Sequence, residues 1–214
     1  MSGYLISFEG IDFCGKSLQA RLLYDHLFAK GLPVVFLREP GSTRISEKIR
    51  AILLDRENEQ MVAEAELLLY SAARTQMVLQ QVIPFLRDEK IVICDRYFDS
   101  TTAYQGYGRE IDLDFVRKLN KFVTKETVPN LTFLIDLDPE LAQKRNRCKG
   151  QSFDRLEKED IKFHERVRAG YLEIAGLSHN AARLVVVPGN RPVREIQQEI
   201  QEHVLTRLHG SSSR

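Results

Sequence analysis

Five short runs of apolar residues are the clearest pattern in this chain. They lie at residues 4–8, 34–37, 91–94, 131–135 and 184–187. Each run is apolar at nearly every position instead of alternating with polar residues, which is typical of strands buried on both faces. The pattern therefore predicts five buried strands.

The segments between these runs carry apolar residues at helical spacing. The first such segment has Leu18, Leu22, Leu23 and Leu27 at helical spacing, and Gly31 suits the position just after a helix end. Predicted helices cover about 17–30, 43–54, 62–81, 112–125, 139–147 and 156–175, with a last one that carries Val193, Ile196, Ile200, Val204 and Leu208. Strands that alternate with helices predict an α/β fold, a five-stranded parallel sheet wrapped by helices on both faces.

No internal repeat or linker divides the chain of 214 residues. We therefore expect a single domain over 1–209, followed by a polar tail at 210–214 that is expected to fray. Parallel sheets bind ligands beyond the carboxyl ends of their strands, so functional residues are expected just after each apolar run.

Charge and cysteine content narrow the class of protein. Lys and Arg number 31 against 30 Asp and Glu, so the overall charge gives no reason to expect a nucleic-acid or membrane partner. No apolar stretch approaches the ~18 residues of a membrane helix.

Cys14, Cys94 and Cys148 form no CxxC pair, and the histidines show no metal spacing. The first residues also lack a signal-peptide pattern. We expect a cytoplasmic protein without a disulfide framework or zinc site.

A phosphate-binding motif follows the first predicted strand. It is G-x-x-x-x-G-K-[ST], formed by Gly10, Ile11, Asp12, Phe13, Cys14, Gly15, Lys16 and Ser17. A strand–turn–helix with a surface lysine is the plain alternative, but the pattern arises by chance in only roughly one chain in a hundred of this length. The motif predicts that backbone N–H groups cradle the phosphates of ATP, that Lys16 reaches the β/γ-phosphates and that Ser17 binds Mg²⁺.

Two residues within the motif allow more than one interpretation. Cys14 lies near a helix N-terminus, where a thiolate is favoured, but a small residue that simply fits the loop is the favoured interpretation. Asp12 would repel a polyphosphate unless its side chain serves a second substrate.

A second cluster of candidate residues follows the other strands. Asp95 is placed to hold Mg²⁺ through water, and Arg96 to meet a phosphate. Arg38 ends the second strand, and Arg74 lies on the helix before the third. Taken singly, each arginine fits a surface ion pair, whereas three arginines on the phosphate-loop face favour a phosphate site.

Together these segments resemble the bacterial thymidylate kinases, which phosphorylate dTMP to dTDP with ATP in dTTP synthesis. The resemblance covers about residues 4–200 and implies a P-loop kinase architecture with a short lid, ATP and dTMP as partners, Mg²⁺ as cofactor, and a homodimer. It is carried by Phe8-Glu9-Gly10-Ile11-Asp12, Arg38-Glu39-Pro40-Gly41, Tyr70-Ser71-Ala72-Ala73-Arg74, Asp95-Arg96-Tyr97, Ala103-Tyr104-Gln105-Gly106, Asp154-Arg155-Leu156-Glu157 and Arg168-Ala169-Gly170-Tyr171-Leu172.

The resemblance also implies a role for each part of the acceptor site. The sugar is assigned to Asp12 and Tyr104, the acceptor phosphate to Arg38 and Arg96, and the base to Tyr70, which stacks on it, with Arg74, Thr101 and Gln105 reading the base or its phosphate. On the ATP side it places Arg191 next to the adenine. Without the resemblance, Tyr70 and Tyr104 would be interpreted as ordinary half-buried aromatics.

A basic segment near residue 150 is the expected lid, at about 144–156. Its cations are Lys144, Arg145, Arg147, Lys149 and Arg155. A solvated turn or an RNA-binding patch fits the charges alone. If the segment is a lid, it closes over the transferring phosphoryl group and excludes water. The candidates to stabilise that group are then Arg145, Arg147 and Arg155.

Two positions depart from the family pattern. Phe13 replaces a small residue or an arginine, which leaves the lid to supply the catalytic cation. Leu18 replaces Ser or Thr, and its place on the helical apolar stripe suggests a packing role. Three alternatives stay open: another nucleotide or deoxynucleoside kinase on the same fold, a nucleotide-binding regulator that has lost catalysis, and an RNA-binding protein.

Overall fold

A computed structural model describes residues 3–149 and 155–210 of the chain. Within these residues a single parallel sheet has the strand order β2-β3-β1-β4-β5. The strands are β1 (Tyr4–Glu9), β2 (Val34–Arg38), β3 (Ile91–Asp95), β4 (Leu131–Asp136) and β5 (Leu184–Pro188). The α/β fold with five parallel strands is confirmed, and every predicted strand forms where its apolar run lies.

Helices connect successive strands and cover the sheet. They are α1 (Lys16–Ala29), α2 (Arg44–Leu54), α3 (Ala63–Met77), α4 (Ile83–Arg87), α5 (Phe98–Thr101), α6 (Leu113–Thr124), α7 (Pro139–Lys149), α8 (Ile161–Gly176) and α9 (Val193–Gly210). Short 3₁₀ turns lie at Arg56–Asn58 and Ser178–Asn180, and π-helical segments at Val78–Val82 and Thr102–Gly108. None of the described helices is both long and apolar enough to cross a bilayer.

The central strand explains why the apolar runs are continuous. Leu5 packs in one hydrophobic cluster and its neighbours Ile6 and Phe8 in another, and all three are fully buried. Successive side chains of a strand point to opposite faces, so both faces of the sheet are buried under helices. Phosphate-loop residues that follow β1 therefore emerge from the middle of the sheet.

The helical predictions were incomplete at three places, one of which is α4 at Ile83–Arg87, beyond the helix expected over 62–81. Residues 98–108 form α5 and a π-helical segment that the sequence did not predict. This segment is rich in Thr, Tyr, Gln and Gly, and its buried residues include polar ones such as Thr101 and Gln105, so no apolar period marks it. The helix expected from 156 instead begins at Ile161, where Asp160 accepts a hydrogen bond from the Phe163 backbone as an N-cap.

The packing role expected for Leu18 is wrong. The buried positions of α1 are Lys16, Gln19, Ala20, Leu23 and Leu27. Leu18 is 49% exposed because it lies off this stripe.

Candidate functional site

Two adjoining cavities lie beyond the carboxyl ends of the strands. The inner cavity has a volume of about 180 Å³ and the outer cavity about 910 Å³. Four residues line both cavities: Asp12, Lys16, Ser17 and Glu157.

The inner cavity brings together every residue predicted to bind the acceptor. These are Asp12, Arg38, Tyr70, Arg74, Arg96, Thr101, Tyr104 and Gln105. Asp95 lines it as well. They come from segments up to 93 positions apart along the chain, so the sheet edge is what assembles them.

The outer cavity is bordered by the phosphate loop and by residues after β4 and β5. Its lining includes Phe13, Cys14, Gly15, Lys16, Ser17, Leu18, Arg145 and Arg191. Gly10 and Ile11, also predicted to bind ATP, are buried and line neither of the two cavities.

Tight backbone geometry shapes the phosphate loop. Gly10 has φ 135° and Gly15 has φ 105°. A Cβ atom on Gly10 would lie 2.5 Å from the carbonyl oxygen of Ile135, so only glycine fits against β4 there. Phe13 also adopts a left-handed conformation, with φ 62°, which is costly for a residue with a Cβ atom.

The strain at Phe13 leads to a stability prediction for two matched variants. Phe13→Ala and Phe13→Gly both remove the ring, but only glycine adopts φ 62° without the left-handed penalty. We expect Phe13→Gly to be more stable than Phe13→Ala by about 1 kcal/mol in urea unfolding. An alanine variant as stable as the glycine variant would show that the loop does not hold this conformation.

Lys16 begins α1 and is only 6% exposed. Its Nζ atom lies 3.4 Å from the carbonyl oxygen of Ile11 and 3.4 Å from Oδ1 of Asp12. These contacts are longer than the usual 2.7–3.2 Å of an N–H···O hydrogen bond. The ammonium group is therefore ion-paired with Asp12 but held by no short hydrogen bond, and it lies next to both cavities.

Asp12 and Arg96 form the central ion pair of the inner cavity. Nη2 of Arg96 donates to Oδ1 of Asp12 at 2.5 Å, and the Tyr104 hydroxyl donates to Oδ2 at 2.8 Å. Burial alone would raise the pKa of Asp12, but Arg96 and Lys16 outweigh it and hold that pKa well below its usual range. The carboxyl is therefore ionised at neutral pH.

The position of Arg96 is fixed by both its backbone and its side chain. It follows β3 with φ 74°, and its backbone N–H donates to the carbonyl oxygen of Phe8 at 3.0 Å. Nη1 donates to the carbonyl oxygen of Gly10 at 3.0 Å and to the hydroxyls of Ser100 and Tyr171 at 3.1 and 3.2 Å. A strained backbone held by so many contacts is typical of functional sites.

Glu9 supports this arrangement and was not predicted from the sequence. It accepts hydrogen bonds from the Tyr97 N–H at 2.7 Å, the Ser100 hydroxyl at 2.6 Å and the Tyr171 hydroxyl at 3.0 Å. Burial and the nearby Asp99 raise the pKa of Glu9 to about 8. An acidic residue that ends a buried strand is the one signal in the sequence that could have identified it.

Arg74 lines the inner cavity from a buried position, with 1% of its surface exposed. Its Nε pairs with Glu39, Nη1 donates to the Thr101 hydroxyl at 2.6 Å, and Nη2 donates to the Tyr97 carbonyl oxygen at 3.1 Å. Burial raises the pKa of Glu39 to about 7, although Arg74 acts in the opposite direction. Arg74 and Thr101 thus form one hydrogen-bonded unit in the cavity wall.

The residues predicted to bind Mg²⁺ fit a hard cation. Oδ1 of Asp95 is buried and has no hydrogen-bond partner among the described residues. Ser17 is exposed and lines the same cavity. A free carboxylate oxygen and a hydroxyl in the wall of one cavity are oxygen donors of the kind that Mg²⁺ takes, together with phosphate oxygens.

Two predicted cations at the margins of the site are held by acidic residues. Nη2 of Arg38 donates to both carboxylate oxygens of Glu47, at 2.8 and 3.0 Å. Arg191 pairs with Glu199 of α9. Both pairs are partly exposed, so a bound phosphate could compete for either arginine.

The three lid arginines have different positions. Arg145 lies beside the phosphate loop, where it donates to the carbonyl oxygens of Cys14 at 3.0 Å and Gly189 at 2.8 Å. Arg155 is buried, lines neither cavity and pairs with Glu66 at 2.6 Å. The side chain of Arg147 and residues 150–154 of the expected lid lie outside the described residues.

Cys14 is fully buried in the loop, 1% exposed. Burial raises the pKa of its thiol, although Lys16 lowers it. These surroundings favour the packing interpretation, since a reactive thiolate needs a lowered pKa and exposure.

Comparisons with known proteins identify the family of this chain. The family model for thymidylate kinase matches residues 8–200. A thymidylate kinase of Geotalea daltonii is 44% identical over 98% of this chain and 100% of its own length. One from Sulfurihydrogenibium sp. is 45% identical over 96% and 98%. The crystal structure of thymidylate kinase from Ehrlichia chaffeensis has a TM-score of 0.78 at 32% identity, covering 96% of this chain and 99% of that one. With the family match spanning most of the chain, the protein belongs to the thymidylate kinase family.

Proposed function

We propose that this protein transfers the γ-phosphoryl group of Mg-ATP to dTMP, which yields ADP and dTDP for nucleotide biosynthesis. The observation that carries the proposal is the adjacency of the two cavities. The outer cavity borders the phosphate loop, the inner cavity holds the residues expected to bind dTMP, and Lys16 lines both. A phosphoryl group could therefore pass from one bound nucleotide to the other at Lys16.

On the ATP side, the loop backbone and the N-terminus of α1 bind the phosphates, and Lys16 neutralises the charge of the transferring group. Ser17 and Asp95 would hold Mg²⁺, which neutralises phosphate charge when it is bound. Arg145 is the lid cation that the contacts favour, because its guanidinium already lies against the loop at Cys14. Arg191 borders the same cavity, consistent with a position near the adenine.

On the acceptor side, Arg96 and Arg38 bind the phosphate of dTMP. Asp12 is ionised and accepts a hydrogen bond from the sugar 3′-OH, while Tyr104 packs against the ribose. Tyr70 stacks on the base. The acceptor phosphate is already anionic, so positioning and charge stabilisation suffice and no general base is needed.

Arg155 and the lid are treated separately from these binding residues. The buried pairing of Arg155 with Glu66 argues against a direct catalytic role for Arg155 in this conformation. A lid over 144–156, the homodimer and the cytoplasmic location stay predictions.

An acceptor screen tests the proposal. With Mg-ATP, we expect rapid ADP formation with dTMP and slow formation with dCMP, dGMP or thymidine. The dUMP molecule lacks only the methyl group, which is worth ~1–3 kcal/mol, so dUMP is expected to be used ten-fold to a few hundred-fold less efficiently. The measurement is kcat/KM for each acceptor in a coupled ADP assay.

The acceptor screen, together with binding measurements for ATP and RNA, separates the alternatives. Comparable rates with thymidine would indicate a nucleoside kinase. Tight ATP binding without any dTMP-dependent ADP release would indicate a regulator. RNA affinity that persists when ATP and dTMP are both bound would indicate an RNA-binding function of the basic segment.

A further inference from the structure

A buried carboxylate behind the inner cavity, Glu66 of α3, joins three segments of the chain. It is 1% exposed and does not line the cavity itself. Oε1 accepts hydrogen bonds from Nε2 of Gln105 at 2.9 Å and Nε of Arg109 at 3.2 Å. Oε2 accepts from Nη2 of Arg109 at 3.0 Å and lies 2.6 Å from Nη2 of Arg155. Both oxygens are therefore filled by donors.

The two arginines hold Glu66 in its ionised form. Arg109 also pairs with Glu159 at 2.6 Å, and Nε of Arg155 donates to the Leu53 carbonyl oxygen at 3.0 Å. Burial alone would raise the pKa of Glu66, but its hydrogen bonds from Arg109 and Gln105 and the charge of Arg155 outweigh it and lower that pKa. An ionised carboxylate can only accept hydrogen bonds.

This acceptor fixes the orientation of the Gln105 side-chain amide. A glutamine amide has one acceptor oxygen and one NH₂ donor, which exchange places when the amide rotates. With NH₂ toward Glu66 a hydrogen bond forms, whereas the reverse orientation would set two oxygens against each other. Gln105 lines the inner cavity, and its amide oxygen accepts no hydrogen bond from the described residues. That oxygen is left as a fixed acceptor for a ligand.

We propose that Glu66 is a positioning residue that sets the base selectivity of the inner cavity by fixing the amide of Gln105. The proposal rests on the proposed function for the identity of the nucleotide. Thymine carries a hydrogen on N3 and can donate to the Gln105 oxygen. Cytosine has an unprotonated N3, a second acceptor, and is opposed by the same oxygen. An amide free to rotate would offer its NH₂ group to cytosine instead.

The test compares Glu66→Gln with the native protein by measuring the dissociation constants of dTMP and dCMP calorimetrically, with kcat/KM for both. Gln at 66 can donate to a rotated Gln105, so we expect the preference for dTMP to fall by about ten-fold or more. Arg109→Lys is the matched control, because it alters another partner of Glu66 and leaves the Gln105 hydrogen bond in place. It is expected to keep the native preference.

A double-mutant cycle separates positioning from a merely structural role. Gln105→Leu alone should remove most of the preference, and adding Glu66→Gln to it should remove nothing further. An unchanged preference in Glu66→Gln, a native preference in Gln105→Leu, or additive losses in the double variant would each overturn the proposal.

A second variant covers the case in which Glu66→Gln misfolds, and a binding ratio tests Glu66 independently of turnover. If Glu66→Gln does not fold, Glu66→Asp keeps the charge for the arginines and withdraws the carboxylate from Gln105, with the same loss of preference expected. The binding ratio does not depend on turnover. A native protein that binds dTMP in preference to dCMP without forming ADP would refute the proposed function and still test Glu66.

Discussion

Replacing Lys16 by alanine is expected to lower kcat by about a thousand-fold or more, while the affinity for dTMP stays nearly unchanged. Among the described residues, Lys16 is the one cation that lines both cavities, and its protein contacts are long, at 3.4 Å. We expect Lys16 to stabilise the transition state of phosphoryl transfer more than either bound nucleotide, because cations in such sites act mainly on the charge of the transferring group. Steady-state kinetics and calorimetric titration with dTMP measure the two quantities.

The matched control is Lys30→Ala at the exposed end of the same helix, which should leave both quantities at the native value. A kcat for Lys16→Ala within about ten-fold of native would contradict the assignment of the phosphate loop. A large loss of dTMP affinity would mean that Lys16 mainly positions Asp12.

Replacing Arg96 by alanine is the second large effect, expected to raise the KM for dTMP and lower kcat together. The combined loss in kcat/KM is expected to be at least about a hundred-fold, because a phosphate-binding fork is removed and Asp12 keeps its charge beside the acceptor phosphate. Arg96→Lys keeps the charge and loses the fork, so it should recover only part of the activity.

Folding must be checked for Arg96→Ala because this guanidinium also joins Gly10, Ser100 and Tyr171. A thermal melt of the variant separates loss of fold from loss of binding. The control is Arg117→Ala on α6, an exposed arginine paired with Asp114 at 3.5 Å. Unchanged dTMP kinetics in Arg96→Ala would refute its role in the acceptor site.

The parts of the fold that the sequence predicted well are those with a repeating apolar signal. Each strand of the sheet matched a continuous apolar run, and the phosphate motif fell between β1 and α1 as expected. The segment 98–108 carries no such signal, because polar side chains such as Thr101 and Gln105 are buried there against Arg74 and Glu66. Buried polar pairs are specified by partners distant in the sequence, which a local pattern does not reveal.

The lid arginines show the same limit. Charge density alone made Arg145 and Arg155 equivalent candidates. In the structure one binds loop carbonyl groups and the other a buried carboxylate. The different positions of Arg145 and Arg155 depend on Glu66, which binds Arg155 and which no sequence pattern indicated.

The contacts of Arg96 and Glu9 also bear on how the protein acquires activity. Arg96 bonds to Asp12 across 84 positions of the chain, and Glu9 bonds to Tyr171 across 162. Contacts this distant in sequence slow folding, because the chain loses loop-closure entropy before they form. A chain still emerging from the ribosome cannot complete the contacts behind the inner cavity until Tyr171 is available. During refolding, catalytic activity should therefore recover after secondary structure appears. Activity then indicates that the long-range contacts of the inner cavity have formed.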